Sequence, residues 1–511
     1  MKNAFTFVPE EMGTVQRRTA YSPNIKERVD ASCAVFDAQG RMLAQAEHIP
    51  VHLGSMPLAV KYTKKYFEGA LKNGDQIVVN DPYHGGSHLN DITLIKPIFL
   101  KGKIMGYAVN KAHHSDVGGK SPGSMPSDSR YLEEEGLVLK PTKLMESGLE
   151  SKEVLEIIEK KTRNPKERKG DLRAQIAANN TGAKRFLFYL QKYGLAEYNE
   201  FVEAILNYSE IRVKSAISII PNGTYEAEDV MEGDGITNDP VKIAVAVDVE
   251  DEKVKVDFTG TARQVEGNIN SPFSVALSSV YYVMRCVTDP FTPPNEGCLR
   301  PIEVNIPNGT LLNPEPPAAV SAGNVETSQR IVDVLFLALS QALPEKIPAQ
   351  SQGTMNNLLV GSSEFTYYET IAGGEGAFSF REGQSGIHTH MTNTANTPIE
   401  ALETTYPLRV ETYELIPGTQ GEGKFNGGLG VRRAMRFLGE EGTLSIISDR
   451  RKYPPKGIMG GGDAKVGVNY LVRKGKMIAL PSKTTIPLKY GDLVVVETPG
   501  GGGYGRGRQK T

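Results

Sequence analysis

The chain has 511 residues, of which 39% are hydrophobic and 23% charged. This is the composition of a globular protein, with length for about two to four domains. Lys and Arg number 58 against 60 Asp and Glu, a net charge of −2, so there is no electrostatic case for nucleic acid or an anionic membrane surface as partner. No stretch approaches the ~20 apolar residues of a membrane helix, and Met1-Lys2-Asn3-Ala4-Phe5 lacks the apolar core of a secretory signal. Cys33, Cys286 and Cys298 show no paired zinc spacing, and a reduced, cytoplasmic setting is expected.

In chain order, residues 1–145 alternate short apolar runs with Gly- and Pro-containing turns. Strands are predicted at 33–36, 76–80, 92–100 and 104–110, and a helix over 57–72 from the spacing of Leu58, Tyr62, Tyr66 and Ala70. From about 148 to 218 the pattern changes to long helices. Their apolar stripes run through Leu172, Ile176, Ala183, Phe186, Leu187 and Leu190, then Phe201, Ile205, Tyr208 and Ile211. The basic run Lys160, Lys161, Arg163, Lys166, Arg168, Lys169 and Arg173 contains no aromatic residue and is read as a solvated helix face. Strands return over 220–312 (241–249, 253–258), with helices expected at 274–287 and 327–343. The remainder is strand and turn, rich in Gly. The expected architecture is an α+β, multi-domain mixed fold: a β-rich metal-binding region (1–147), a helical segment (148–219), an α/β region (220–345) and a β-rich C-terminal region (346–511). The glycine run at 500–505 reads either as a flexible tail or as backbone approaching a neighbouring subunit.

Eight histidines are present, and six of them (His48, His52, His84, His88, His113, His114) fall within residues 48–114. Imidazole is the common neutral nitrogen ligand and the common base near pH 7, so this clustering points to metal or acid–base chemistry. A hairpin centred on Gly102 pairs residues whose numbers sum to 204, which sets Asp91 opposite His113 with both side chains on one face. His88 precedes Asp91 by three residues and follows a Gly85-Gly86-Ser87 bend. Two imidazoles and one carboxylate leave coordination positions open, as catalytic metals require. A bulge would exchange His113 for His114. Glu47, His52, His84 and Asp116 are candidates for proton transfer, substrate contact or support of a ligand imidazole. His388-Thr389-His390 reads as a polar lining of the same cleft or as a surface strand.

Two glycine-rich segments resemble phosphate loops and fail as such. Gly418 to Lys424 is followed by Phe425 in place of the magnesium-binding Ser or Thr and opens no helix. Gly118-Gly119-Lys120-Ser121 has His114 where the first glycine belongs. Any ATP consumed is therefore expected on another chain.

The chain resembles the hydantoinase B family over nearly its whole length. The phrases that carry the resemblance include Ala46-Glu-His-Ile-Pro-Val-His-Leu-Gly-Ser-Met-Pro57, Asn80-Asp-Pro-Tyr-His-Gly-Gly-Ser-His-Leu-Asn-Asp91, Ala112-His-His-Ser-Asp-Val-Gly-Gly119 and Thr498-Pro-Gly-Gly-Gly-Gly-Tyr-Gly505. The resemblance implies the B subunit of an ATP-dependent hydantoinase, 5-oxoprolinase or lactamase. In such enzymes an A-type subunit phosphorylates the substrate and the B-type subunit completes hydrolysis at its own divalent metal (Zn, Mn or Fe). In the carboxylase relatives a His-x-x-Asp pair and a later histidine hold the metal, and His88, Asp91 and His113 match those positions. The alternatives are the metal-binding subunit of a ketone carboxylase and a non-catalytic scaffold for the ATPase partner.

Overall fold

The computed structural model describes residues 2–46 and 49–507. Strands β1 (Ala31–Asp37), β2 (Met42–Ala46), β3 (Gln76–Val79), β4 (Asp91–Leu100), β5 (Lys103–His113), β6 (Thr142–Glu146) and β7 (Leu149–Glu150) form one sheet. Its order is β2-β1-β5-β4-β3-β6-β7, antiparallel throughout. Helices cover both faces, which is why β1 reads as a continuous apolar run rather than an alternating one. Cys33 and Val35 face α1 (Lys2–Thr19), and Ala34 and Phe36 meet Met56, Ala59 and Val60 of α2 (Ser55–Tyr66). Helix α1 was not foreseen. It carries Pro9 in its interior and turns Phe5, Val8 and Met12 inward, a stripe too sparse to stand out.

Helices α3 (Pro165–Tyr193) and α4 (Leu195–Ile217) follow, with Phe186, Leu190, Val202 and Ile205 closing the core beneath α1. Contrary to expectation, the basic run is not uniformly solvated. Arg168 is fully buried, and Arg163 donates to Asp116 and to the carbonyls of Gly118, Gly119 and Ser121. Side chains long enough to reach loop carbonyls under a helix cannot be told from solvated ones by composition alone.

A second sheet, β8 (Gly223–Met231), β9 (Val241–Glu250), β10 (Lys253–Asp257) and β11 (Ile302–Asn305), packs its valines on α5 (Phe273–Val287) and α6 (Ser328–Leu339). A π-helical turn, Gly323–Thr327, leads into α6.

The C-terminal strands are β12 (Asn357–Gly361), β13 (Thr366–Thr370), β14 (Leu408–Ile416), β15 (Gly430–Phe437), β16 (Glu441–Ile447), β17 (Val468–Arg473), β18 (Lys476–Leu480), β19 (Lys483–Lys489) and β20 (Leu493–Glu497). They form sheets β13-β12-β16-β19 and β14-β15-β20-β17-β18. One core holds Leu358, Val360 and Leu444 of the first with Val431, Met435 and Val494 of the second, a sandwich of two sheets. The chain is thus α+β with several packed layers.

The glycine run is not a flexible tail. It lies buried within its own chain: Gly501 N–H donates to the Gly428 carbonyl (2.9 Å) and Gly502 N–H to that of Gln350 (2.8 Å). A Cβ at Gly501 would overlap the Glu375 carbonyl oxygen. Gly501→Ala is therefore expected to destabilise the fold by about 1–3 kcal/mol, read as a lowered denaturant midpoint.

Candidate metal centre

The β4–β5 hairpin builds the site by a route the sequence count did not anticipate. Its turn has two residues, Lys101 and Gly102, at φ 49° and 79°, the left-handed pair that suits a twisted hairpin. Leu100 consequently pairs with Lys103, a sum of 203. An extra residue, Met105, then bulges out between the Phe99–Ile104 and Ile98–Gly106 pairs and restores 204. Asp91 therefore faces His113.

Alternation along β5 decides between the two adjacent histidines. His113 and Lys111 point to one side of the sheet. His114 points to the other, where its Nε2 meets Gln175 Oε1 of α3 at 2.9 Å. The backbone fixes both residues: His113 N–H donates to the Asp30 carbonyl, Asn24 Nδ2 to the His113 carbonyl, and His114 N–H to the Asn90 carbonyl. On the opposing strand, a turn in which Asp91 N–H donates to the His88 carbonyl (3.0 Å) brings the two side chains together.

The three side chains converge. His88 Nε2 lies 3.1 Å from His113 Nδ1 and 3.2 Å from Asp91 Oδ1, and His113 Nδ1 lies 3.3 Å from the same oxygen. The nearest point equidistant from three atoms about 3.2 Å apart is about 1.85 Å from each (3.2/√3), slightly inside the roughly 2.0–2.2 Å of a metal–ligand bond. Two imidazoles and a carboxylate, all buried, are a donor set suited to a divalent transition ion. Among the described residues this is the group of His, Cys, Asp and Glu side chains that could hold a metal ion.

Electrostatics agree. Burial by itself raises the Asp91 carboxyl, but the His88 and His52 imidazoles outweigh it and hold the group well below the usual carboxylate range. Burial also pushes the His113 imidazole down, favouring the neutral form that ligates. Around the trio, Ser87 Oγ donates to Asp91 Oδ2 at 2.6 Å, and Lys111 Nζ donates to Ser87 Oγ and Ser55 Oγ. Burial lowers the Lys111 ammonium to about 8 against the opposing pull of Asp91. The Tyr368 ring of β13 stacks on His113 with centroids 4.6 Å apart, bringing the C-terminal sandwich onto the site.

Of the other sequence candidates, His52 joins the cluster: Nε2 is 3.4 Å from Asp91 Oδ2, and Nδ1 is hydrogen-bonded to Ser32 Oγ. Asp116 does not. Its carboxylate accepts from the N–H groups of Gly118, Gly123 and Arg163 and from the Arg163 guanidinium, so it clasps a loop to the start of α3. His84 is half-buried, bonded to Asp81 Oδ2 and set edge-on to Tyr62. Glu47 and His48 lie outside the described residues. Asp30, Lys111 and Tyr368 were missed. Asp30 Oδ2 is 4.0 Å from His113 Nδ1, and the i,i+2 spacing of Lys111 and His113 on a strand was the available clue.

His388 and His390 line a separate cavity, and burial pushes both imidazoles down to about 4. An unfolded imidazole protonates near 6.5, so between those values the unfolded state binds more protons. Stability contributed by the two neutral rings is therefore complete above about pH 6.5 and is lost as pH falls towards 4. Urea midpoints measured over that range are expected to flatten in the His388→Gln/His390→Asn double variant.

Residues 1–507 match the Hydantoinase B/oxoprolinase family model, and the protein belongs to that family. It is 46% identical over 508 residues to an uncharacterized protein of Methanocaldococcus jannaschii, covering 99% of this chain and 89% of that one. It is 35% identical to the putative B subunit of a D-/L-hydantoinase from a Pseudomonas species, covering 98% and 88%. It is 38% identical to the Dictyostelium discoideum 5-oxoprolinase, of whose length it spans only 39%. Among solved structures, the ATP-dependent caprolactamase from Pseudomonas jessenii superposes with a TM-score of 0.93 at 27% identity, covering 99% and 90%. The nucleotide-free acetone carboxylase superposes with a TM-score of 0.89 at 20% identity, covering 98% and 74%, a likeness of fold.

Proposed function

We propose that this chain is the B subunit of an ATP-dependent cyclic-amide hydrolase that opens a hydantoin, 5-oxoproline or lactam ring. The observation that carries the reading is the convergence of His88, Asp91 and His113 donor atoms within 3.3 Å in a chain of this family. Relatives named for hydantoin, oxoproline and caprolactam chemistry support the substrate class. The Pseudomonas relative is named as one subunit of its hydantoinase, which supports an A-type partner.

Amide hydrolysis is slow because the C–N bond has partial double-bond character. Phosphorylation of the amide oxygen by ATP on the partner removes that resonance. His88, Asp91 and His113 would hold a divalent ion, which would supply Lewis acidity to the water or to the substrate oxygen. With only one negative charge, the trio would leave such an ion net positive. Ser87 and the Lys111 ammonium hold Asp91 in place from one side. His52, with Nδ1 on Ser32 and Nε2 facing Asp91, is the group placed to move a proton to the leaving nitrogen. The buried walls, Tyr368 among them, exclude bulk water from the activated ring.

The test is co-expression with an A-type ATP-binding partner, followed by assay of ATP consumption against hydantoin, 5-oxoproline and caprolactam, with acetone plus bicarbonate in parallel. Ring opening with near-stoichiometric divalent metal on this chain is expected. Ketone-dependent ATP consumption without amide turnover would transfer the reading to a carboxylase. Unchanged turnover in a metal-free complex would leave only a scaffold role.

A further inference from the structure

The His388-Thr389-His390 motif is not used by the metal cluster. It borders a cavity of about 320 Å³ between α5, α6 and the loop that ends at His390, at the small end of the roughly 300–1,000 Å³ typical of ligand pockets. We propose that this cavity is a binding site for a small planar cyclic amide, whose ring packs against Phe336 and Phe378 while its C=O and N–H hydrogen-bond to the two imidazoles. The ligand class rests on the cyclic-amide reading above; the cavity and its histidines stand without it.

Both imidazoles reach the cavity from one short segment. Gln329 Nε2 of α6 donates to the Thr389 carbonyl at 3.0 Å and pins the backbone between them. His390 sits at φ 58°, a left-handed conformation that L-residues rarely adopt, and the segment retains it. Its Nδ1 is 3.4 Å from the Tyr282 hydroxyl, and its ring is tilted against Phe336 at 5.5 Å. Burial keeps the Tyr282 phenol protonated, so its oxygen can donate to Nδ1 or accept from it, according to the His390 tautomer. The neutral His390 ring then leaves Nε2 as a donor in one tautomer and an acceptor in the other, and a cyclic amide carries the complement of either. Both nitrogens of His388 are buried, and with Asn396 as the side chain that acts on the ring, at least one of them is left without a hydrogen-bond partner. A buried polar group in that state is costly, and a ligand N–H would satisfy it.

The charged groups at the cavity are already engaged. Arg381 holds Glu375 through two contacts of 2.7 and 2.9 Å, and Lys346 Nζ donates to the Val287 carbonyl. This favours a polar ring whose recognition does not depend on charge. The cavity lies a short chain of contacts away from the cluster. His388 feels the Arg28 charge, the Arg28 guanidinium lies 4.7 Å over the Tyr368 ring, and that ring stacks on His113.

Cys286 lines the cavity and is exposed, whereas Cys33 and Cys298 are buried, so its alkylation rate in the native full-length chain reports occupancy. Hydantoin, 5-oxoproline and caprolactam are the probes. At least one is expected to slow Cys286 modification saturably, by about fivefold or more. His390→Asn and His388→Gln should each weaken that protection on the order of tenfold, one hydrogen bond's worth, and His88→Ala should leave it unaltered. An amide that the assembled enzyme opens but that leaves the Cys286 rate unchanged overturns the proposal and spares the functional reading. Protection without turnover supports the site and counts against that reading. Absence of both overturns the two together, and protection that survives both histidine substitutions assigns the ligand elsewhere.

Discussion

Asp91→Asn is expected to strip the chain of its metal and to lower amide turnover in the assembled enzyme on the order of 10³-fold or more. The substitution preserves size and the Ser87 neighbour but replaces the negative charge shared by three imidazoles: His88 at 3.2 Å, His113 at 3.3 Å and His52 at 3.4 Å. An amide can present its oxygen to an ion but cannot offset its charge. A single preorganised electrostatic contact is worth about 10²–10³ in rate, and here the loss includes the ion itself. His88→Ala and His113→Ala should behave alike. His52→Gln removes the proposed proton carrier, which also contacts Asp91, and a loss on the order of 10²-fold is expected. His114→Gln separates the adjacent histidines, because His114 bonds Gln175 on the other side of the sheet; metal content should survive it. Elemental analysis after dialysis, together with turnover, reads all five variants. Full metal and full activity in Asp91→Asn would sink the site assignment.

The largest stability effect is expected far from the metal. Arg330 of α6 is fully buried and reaches Asp229 of β8 at 3.1 Å and Asp449 at 3.3 Å. Arg450 binds Asp333 and the same Asp229, at 2.5 and 3.0 Å, and Lys483 stands 3.6 Å from Asp449. Three cations thus balance three carboxylates where the second sheet, α6 and the C-terminal sandwich meet. Arg330→Met leaves one carboxylate uncompensated. Removing one partner of a buried pair costs about 3–5 kcal/mol. Burial already pushes the Asp333 carboxyl well above its usual range, and Arg330 is what opposes this, so proton uptake by Asp333 places the cost towards the lower end. Arg409→Ala, which breaks an exposed, solvent-screened pair with Glu411, should leave the unfolding midpoint nearly unchanged. Urea unfolding of the full chain compares the two, and equal midpoints would refute the buried network's role.

Part of this was legible in the sequence because it is encoded locally. The apolar periodicity of β4, β5, β9, α5 and α6 survives in any window, and clustering of six histidines in 67 positions needs no fold to be seen. Helix α1 was not legible, since Pro9 and few apolar residues weaken its pattern and its stability comes from packing on α3 and β1. The buried ionic network was hidden for another reason: its bonded partners are up to 221 positions apart, and each charge alone reads as surface.

The candidate metal centre lies between these cases. By itself the sequence determined the donor types, two imidazoles and a carboxylate, and the hairpin that brings Asp91 near His113, because a glycine turn and alternating strands are local matters. Only the tertiary structure decided how the register is reached, since Met105 bulges out to offset a turn one residue shorter than counted. It also decided which of His113 and His114 faces inward, because α3 supplies Gln175 to receive the second. Asp116 was turned to a loop clasp by Arg163, and Tyr368 came to His113 from about 255 residues downstream. Side-chain direction follows from strand alternation, but the partner that meets each side chain is set by packing between distant elements.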